Sequence, residues 1–327
     1  MTETAPSAPG SEWTETARAV GDRARRASRL LQRAGPAART EAIRAMAAGL
    51  RGNVGALQAD NEADLDGARD AGLSKAMVDR LTLSPDRIEK MARSLEEVAD
   101  LRDPVGEVLE GYVRPNGLRI ERVRVPIGVV LTIYESRPNV TSDVAGLCLK
   151  SGNASVLRGG KESLRSNLAI HRVLADALTD AGLPADAVQM VDTPDRALLS
   201  ALLRQDETID LVVPRGGEAL IRAVAEQATI PVIKHYKGVC HVYVDDLADL
   251  DMAEAVAVNA KMQRTGVCNA METLLVHEAV AADFLPRFAK AVGECELRGC
   301  QKTLTIIDCK AATDEDWITE YLDAILS

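Results

Sequence analysis

The 327-residue sequence predicts an α/β protein: a doubly wound parallel sheet, then a second and incomplete α/β unit, with a small hairpin beside them. Three observations predict this. After Pro126, short apolar runs alternate with amphipathic segments, the order from which parallel sheets with crossover helices are built. The first of these runs, "IGVVLTIYE", is continuous rather than alternating, as a strand buried on both faces requires. Two of the strands end in matching turns, "RGGKES" at 158–163 and "RGGEAL" at 215–220, each directly before helical periodicity.

In chain order, the opening "MTETAPSAPGSE" lacks the charged-then-apolar layout of a signal peptide and reads as a disordered tail over 1–12. From Trp13 to Leu101 the pattern is helical. "TETARAVGDRARRASRLLQ", "AARTEAIRAMAAGLRGN" and "SPDRIEKMARSLEEVADL" set apolar residues three and four apart, with charged faces between them. "EGYVRP" and "LRIERVRVP" then alternate about Asn116-Gly117, the dipeptide that most favours a tight hairpin turn. The middle region reads as strand "NASVLRG", helix "ESLRSNLAIHRVLADALTDAG", strand "VQMVD", helix "PDRALLSALLRQ", strand "IDLVVPRGG" and helix "EALIRAVAEQAT". Short strands "PVIKHY" and "CHVYVDD" follow, and a second α/β segment starts near Leu250 with "MAEAVAVNAKMQ", "ETLLVH" and "AADFLPRFAKAVGE" as helix, strand and helix.

The bulk numbers exclude several function classes. A net charge of −10 argues against a broad basic surface for nucleic acid, and 3% aromatic residues leave little for stacking on bases. No stretch approaches the apolar length that spans a bilayer. The six cysteines (Cys148, Cys240, Cys268, Cys295, Cys300 and Cys309) are scattered, unlike a small disulfide scaffold. The expectation is a cytoplasmic protein acting on a small molecule, with no membrane or nucleic-acid partner.

The dinucleotide fingerprint G-x-G-x-x-G is absent, and Ser155 stands where a phosphate loop needs its first glycine. "RGGKES" is still open to two readings. Gly159 and Gly160 admit close backbone approach, Ser163 can cap the helix, and Arg158 with Lys161 supply positive charge, which together suit a phosphate. An ordinary strand-to-helix turn with solvated basic residues is the alternative. Arg215, Gly216 and Gly217 repeat the arrangement one α/β unit later, and two such turns point to one crevice. Asn139, after a strand and a proline, is a turn asparagine or a donor to a developing oxyanion. His235 is a base, or structural. Cys295, Cys300 and Cys309 match no common zinc spacing and read as incidental, so no metal is expected. Cys268, in "KMQRTGVCNAMETLL", is either a buried structural thiol or a nucleophile.

"VPIGVVLTIYESRPNVTSDVAGLCLKSGNASVLRGGKES", "LVVPRGGEALI", "VIKHYKGVCHVYVD", "NAKMQRTGVCNAMETLLV" and "TDEDWITEYLDAILS" closely resemble the gamma-glutamyl phosphate reductases, also called glutamate-5-semialdehyde dehydrogenases, of the aldehyde dehydrogenase superfamily. The resemblance covers nearly the whole chain after the tail, with the motifs in the family's order. It implies an aldehyde dehydrogenase-like fold and NADPH-dependent reduction of L-glutamyl 5-phosphate to L-glutamate 5-semialdehyde and phosphate, the second step of proline synthesis from glutamate. By the same resemblance, Cys268 is the nucleophile that forms a thioester, and Asn139 pairs with the backbone N–H of Cys268 to hold the oxyanion.

The resemblance also implies the NADP(H) site. Lys161 aligns with the glutamate that takes the adenosine ribose hydroxyls in NAD-preferring members, and Arg158 with the superfamily's usual lysine. Two cations there attract a 2′-phosphate. Arg215, Gly216 and Gly217 match the turn beside the pyrophosphate and nicotinamide, and Glu320 the glutamate that holds the nicotinamide ribose. His235 aligns where acid-forming members carry a glutamate base, which suits a reductase that has no use for a hydrolytic water.

The implied domains are an NADP-binding domain over 13–110 and 128–257, an oligomerisation hairpin over 111–127 that makes a homo-oligomer expected, and a partial catalytic domain over 258–327. Family members continue beyond the Glu320 motif, so the chain reads as C-terminally truncated. A non-catalytic homologue that retains nucleotide or partner binding is the alternative. A thiol hydrolase pairing Cys268 with His235 is disfavoured, because the two glycine turns have no role in it. Arg137 and Lys237 are candidate ligands for the substrate's α-carboxylate and α-amino groups.

Overall fold

The protein is described by a computed structural model over residues 11–327. The expected tail lies outside those residues except for Ser11 and Glu12, which are already helical. The chain divides into two compact units, one ending at Lys234 and one spanning His235–Ser327.

The first unit opens with five helices: α1 (Ser11–Leu31), α2 (Pro36–Gly52), α3 (Val54–Asp70), α4 (Lys75–Leu81) and α5 (Pro85–Asp100). The local reasons are visible in α5. Ser84 Oγ accepts from the Arg87 N–H, Pro85 pre-sets the first turn, and Asp86 suits the positive end of the dipole. Its buried stripe is Ile88, Met91, Ala92, Leu95 and Ala99, at helical spacing. Helices α3 and α4 were not separately marked in the sequence pattern.

Strands β1 (Val108–Val113) and β2 (Arg119–Val123) form the antiparallel hairpin. Its turn contains Asn116-Gly117, as expected. Gly117 N–H donates to Arg114 O and Arg114 N–H to Leu118 O, both at 2.8 Å, so Pro115, Asn116 and Gly117 make a three-residue loop. The two-residue type needs Asn116 left-handed, and only Gly117 is, with φ +86°.

The rest of the first unit is β3 (Val129–Tyr134), α6 (Asn139–Lys150), β4 (Ala154–Arg158), α7 (Leu164–Asp180), β5 (Val188–Met190), α8 (Arg196–Leu202), β6 (Leu211–Arg215) and α9 (Glu218–Gln227). The strands form a parallel sheet in the order β5-β4-β3-β6. All six residues of β3 are buried, as the continuous apolar run requires. Succession runs outward from β3 to β5 and then returns to β6 on the other side of β3. That reversal makes β3/β6 the switch point, and open sheets bind ligands outside the carboxyl ends of the strands there. "PVIKHY" is not a strand. Val232 makes an isolated bridge to Val212, Pro231 has no N–H to give, and Ile233 to Lys237 are exposed.

The second unit contains β7 (Cys240–Val244), α10 (Leu250–Met262), β8 (Met271–Val276), α11 (Glu278–Val292), β9 (Glu296–Gly299), β10 (Lys310–Ala311) and β11 (Ile325–Leu326). β7 pairs with β8, and β9 lies between β10 and β11, all parallel. Leu274 N–H donates to Ser327 O at 2.8 Å and Ser327 N–H to Glu272 O at 3.1 Å, so the chain end joins β8. The core holds Val244, Ala257, Met271, Phe284, Phe288 and Leu326. The sequence places the change of unit near 257. The structure places it between Lys234 and His235, because β7 pairs with β8 and Ala257 of α10 belongs to the second core. Among the described residues no helix is long and apolar enough to cross a membrane, and no group of three or more His, Cys, Asp or Glu is placed to hold a metal ion.

Candidate active site

In the first unit, three turns meet at the carboxyl ends of β3, β4 and β6. Gly217 N–H donates to Glu135 Oε2 at 3.3 Å. A Cβ on Gly216 would lie 2.6 Å from the Glu135 carboxyl carbon, and one on Gly160 would lie 3.3 Å from Ser136 N. The two Gly-Gly turns singled out in the sequence therefore both abut the segment that follows β3. Neither position has a positive φ, so what glycine gives at Gly216 is room beside the Glu135 side chain.

Gly159 has a different reason. A Cβ there would fall 2.1 Å from Asn167 Nδ2. Asn167 is fully buried, donates to Ser163 Oγ at 3.0 Å and accepts from Thr141 Oγ1 at 3.2 Å, and the Tyr134 hydroxyl lies 2.7 Å from Thr141 Oγ1. Burial pushes the Tyr134 phenol well above its usual range, so it stays neutral. This neutral network braces the turn. It also explains why Ser163 does not cap α7 as expected: its hydroxyl donates to Gly160 O at 3.3 Å and accepts from Asn167.

The cations stand beside this turn. Arg158 is half-buried and donates to Pro194 O at 2.8 Å, while its buried Nε has no partner. Burial and the neighbouring Arg196 push its pKa down from the usual guanidinium value, with Glu162 acting against them. Lys161 is exposed. Arg196 and Glu135 were missed in the sequence. Their only signal was position, Arg196 as the first residue of α8 after β5 and Glu135 directly after β3. Arg215 is exposed at the end of β6. Asn139 opens α6, and its Nδ2 donates to Asp143 Oδ2 at 2.9 Å. Burial raises the Asp143 carboxyl, and the Asn139 hydrogen bond opposes that rise.

In the second unit Cys268 is exposed, in the turn between α10 and β8 that Ala270 N–H closes onto Val267 O at 3.0 Å. The buried structural thiol is therefore excluded. The Cys268 carbonyl accepts from Cys240 Sγ at 3.5 Å, and a Cβ on Gly238 would lie 2.5 Å from that carbonyl oxygen and 3.3 Å from Glu320 Oε1. Cys268 and Glu320, 52 positions apart by their numbers, thus share one glycine as neighbour. His235 and Lys237 are exposed just upstream. An apolar cavity of about 610 Å³ lies elsewhere in this unit, among Leu285, Phe288, Leu297, Ile306, Trp317 and Leu326, and neither Cys268 nor Glu320 lines it.

The aldehyde dehydrogenase family matches residues 8–307. The gamma-glutamyl phosphate reductase of Rhodospirillum rubrum is 54% identical over 311 residues, covering 94% of this chain and 73% of that protein. The one from Moorella thermoacetica is 53% identical over 310 residues, covering 94% and 74%. The crystal structure of gamma-glutamyl phosphate reductase from Thermotoga maritima superposes with a TM-score of 0.87 at 43% identity, over 95% of this chain and 76% of that one. The chain thus spans about three quarters of the length of these relatives. On this sequence identity and this fold, the chain belongs to the aldehyde dehydrogenase family, in the branch formed by the gamma-glutamyl phosphate reductases.

Proposed function

We propose that NADPH is the reductant and Cys268 the nucleophile in reducing L-glutamyl 5-phosphate to L-glutamate 5-semialdehyde, the step of proline biosynthesis that this family carries out, and that the chain works in the cytoplasm. The observation that carries the proposal is the exposed Cys268 thiol, whose carbonyl shares Gly238 as neighbour with the Glu320 carboxylate.

Attack of the Cys268 thiolate on the acyl phosphate carbon forms a C–S bond and a tetrahedral oxyanion. The Asn139 side-chain amide and the Cys268 N–H hold that oxyanion, and a donor of this kind is worth about 3 kcal/mol of barrier. Collapse expels phosphate with the electron pair of the C–O bond and leaves a thioester on Cys268. A bound nicotinamide would supply the hydride that reduces the thioester, and Cys268 would then leave as the thiolate as the aldehyde forms.

The family uses a nicotinamide cofactor, and the residues present fit NADP(H). Gly217 N–H already accommodates an anionic oxygen, that of Glu135, as a phosphate oxygen would require. Arg215, Gly216 and Gly217 would hold the pyrophosphate once Glu135 gives way. Arg158 and Lys161, with Arg196, would take the 2′-phosphate. Glu320 would take the nicotinamide ribose. With His235 where acid-forming members carry a glutamate, no carboxylate activates water against the thioester. The hairpin β1–β2, with Val108, Leu109, Tyr112, Val113, Leu118 and Val123 exposed, supports a homo-oligomeric contact.

The test runs the reaction in reverse. Full chain is supplied with glutamate 5-semialdehyde, phosphate and NADP, and NADPH absorbance is followed beside Cys268→Ala. Turnover that disappears in the variant supports the proposal. Equal turnover in both proteins contradicts it.

A further inference from the structure

A charged pair that the mechanism does not use lies beneath the thiol turn. Lys261, in the last turn of α10, is fully buried, and its Nζ donates at 2.8 Å to Oε2 of Glu272, which is 1% exposed at the start of β8. The pair therefore clamps the two ends of the turn that carries Cys268. The second carboxylate oxygen, Glu272 Oε1, accepts from the Leu322 N–H at 3.2 Å. Leu322 has φ +54°, the one non-glycine residue with positive φ among the described residues. Lys261 Nζ also stands 6.0 Å from the centre of the Tyr321 ring. The pair thus engages both residues that follow Glu320.

Neither feature is what packing alone would select. Removing two charges from water is costly, and apolar residues of similar volume often do as well or better. A leucine in the left-handed region is strained where glycine would not be. The strain and the buried charges occur together, joined by one hydrogen bond, where the Cys268 turn meets the Glu320 segment.

We propose that Lys261 and Glu272 are positioning residues: the pair sets the Cys268 turn and, through the Leu322 N–H, orients Glu320 toward the nicotinamide half of the cofactor. This rests on Glu320 being the nicotinamide-ribose ligand proposed above.

The test uses two full-chain double variants, K261M/E272Q and K261M/E272L. Both discharge the pair and keep its bulk, but only the first leaves an acceptor oxygen for Leu322 N–H. Dissociation constants are measured for NADPH and for 2′,5′-ADP, which has no nicotinamide ribose, with Glu320→Ala as reference. Loss of one buried acceptor predicts NADPH binding about tenfold weaker in K261M/E272L, as in Glu320→Ala, with 2′,5′-ADP unchanged. K261M/E272Q stays within about twofold. NADPH binding that is equal in the two double variants, beside a weakened Glu320→Ala, overturns the positioning role and leaves Glu320 standing. Unchanged binding in Glu320→Ala removes the Glu320 reading and this proposal with it. Should K261M/E272L not fold, K261M/E272L/L322G replaces it, because glycine takes the positive φ without the acceptor. A folded triple variant that binds NADPH about as weakly as Glu320→Ala, with 2′,5′-ADP unchanged, supports the proposal, and NADPH affinity within about twofold of the unaltered chain overturns it.

Discussion

The candidate residues of the two units are braced in opposite ways. In the first unit the frame is neutral: Tyr134, Thr141, Asn167 and Ser163 form a buried hydroxyl and amide network, and Lys161 and Arg215 remain in water. In the second unit the thiol is exposed and the frame is charged, a Lys261–Glu272 pair with almost no solvent contact. A phosphate arrives with its own charge, so its site needs backbone N–H groups, open glycines and solvated cations. The thiol turn is organised from beneath instead. There the geometry is set by an ion pair that has no good alternative partner.

This contrast predicts unequal costs. The largest loss of stability is expected from Lys261→Met, which strands a buried carboxylate. About 3–5 kcal/mol should be lost in denaturant unfolding, and adding Glu272→Gln should recover much of it. Asn167→Ala in the neutral network should cost less, about 1–3 kcal/mol by the same measurement. Equal costs for the two would remove the distinction drawn here. On activity, Asn139→Ala should lower kcat by about 10²–10³-fold while the NADPH dissociation constant stays within about twofold, because the proposed oxyanion donor is not among the residues proposed to hold the nucleotide. The smallest expected effect is at Glu135. Replacing it by glutamine removes a carboxylate from the Gly217 N–H, and NADPH should bind about two- to fivefold tighter in a fluorescence titration. Weaker binding would show that Glu135 helps to hold the cofactor.

Much of this was legible in the sequence where the signal was local. The continuous run Val129–Tyr134 is a fully buried strand, and each Arg-Gly-Gly turn joins a strand to a helix. The segment 139–150 was not legible as a helix, because Val140, Thr141, Val144 and Gly146 lower its propensity. Tertiary packing decides it: a Cβ on Gly146 would lie 2.6 Å from Leu95 of α5, so glycine is there for close approach between helices. The hairpin turn was legible from Asn116-Gly117, while the loop length was not, because Pro115 occupies the first loop position. The unit boundary depended on β7 pairing with β8 across α10, a non-local pairing that periodicity does not record. In the candidate site, Cys268 and the glycines had motif signals. Glu135, Arg196 and the Lys261–Glu272 pair had none, since each is defined by a partner met only on folding.

The most direct measurement is an NADPH fluorescence titration of Cys268→Ala beside the unaltered chain, with turnover of both recorded on the same preparations. The account predicts equal NADPH affinity within about twofold and no turnover in the variant, because thiol and nucleotide are held by separate frames. Turnover that survives the substitution, or NADPH binding that is lost with the thiol, would contradict it.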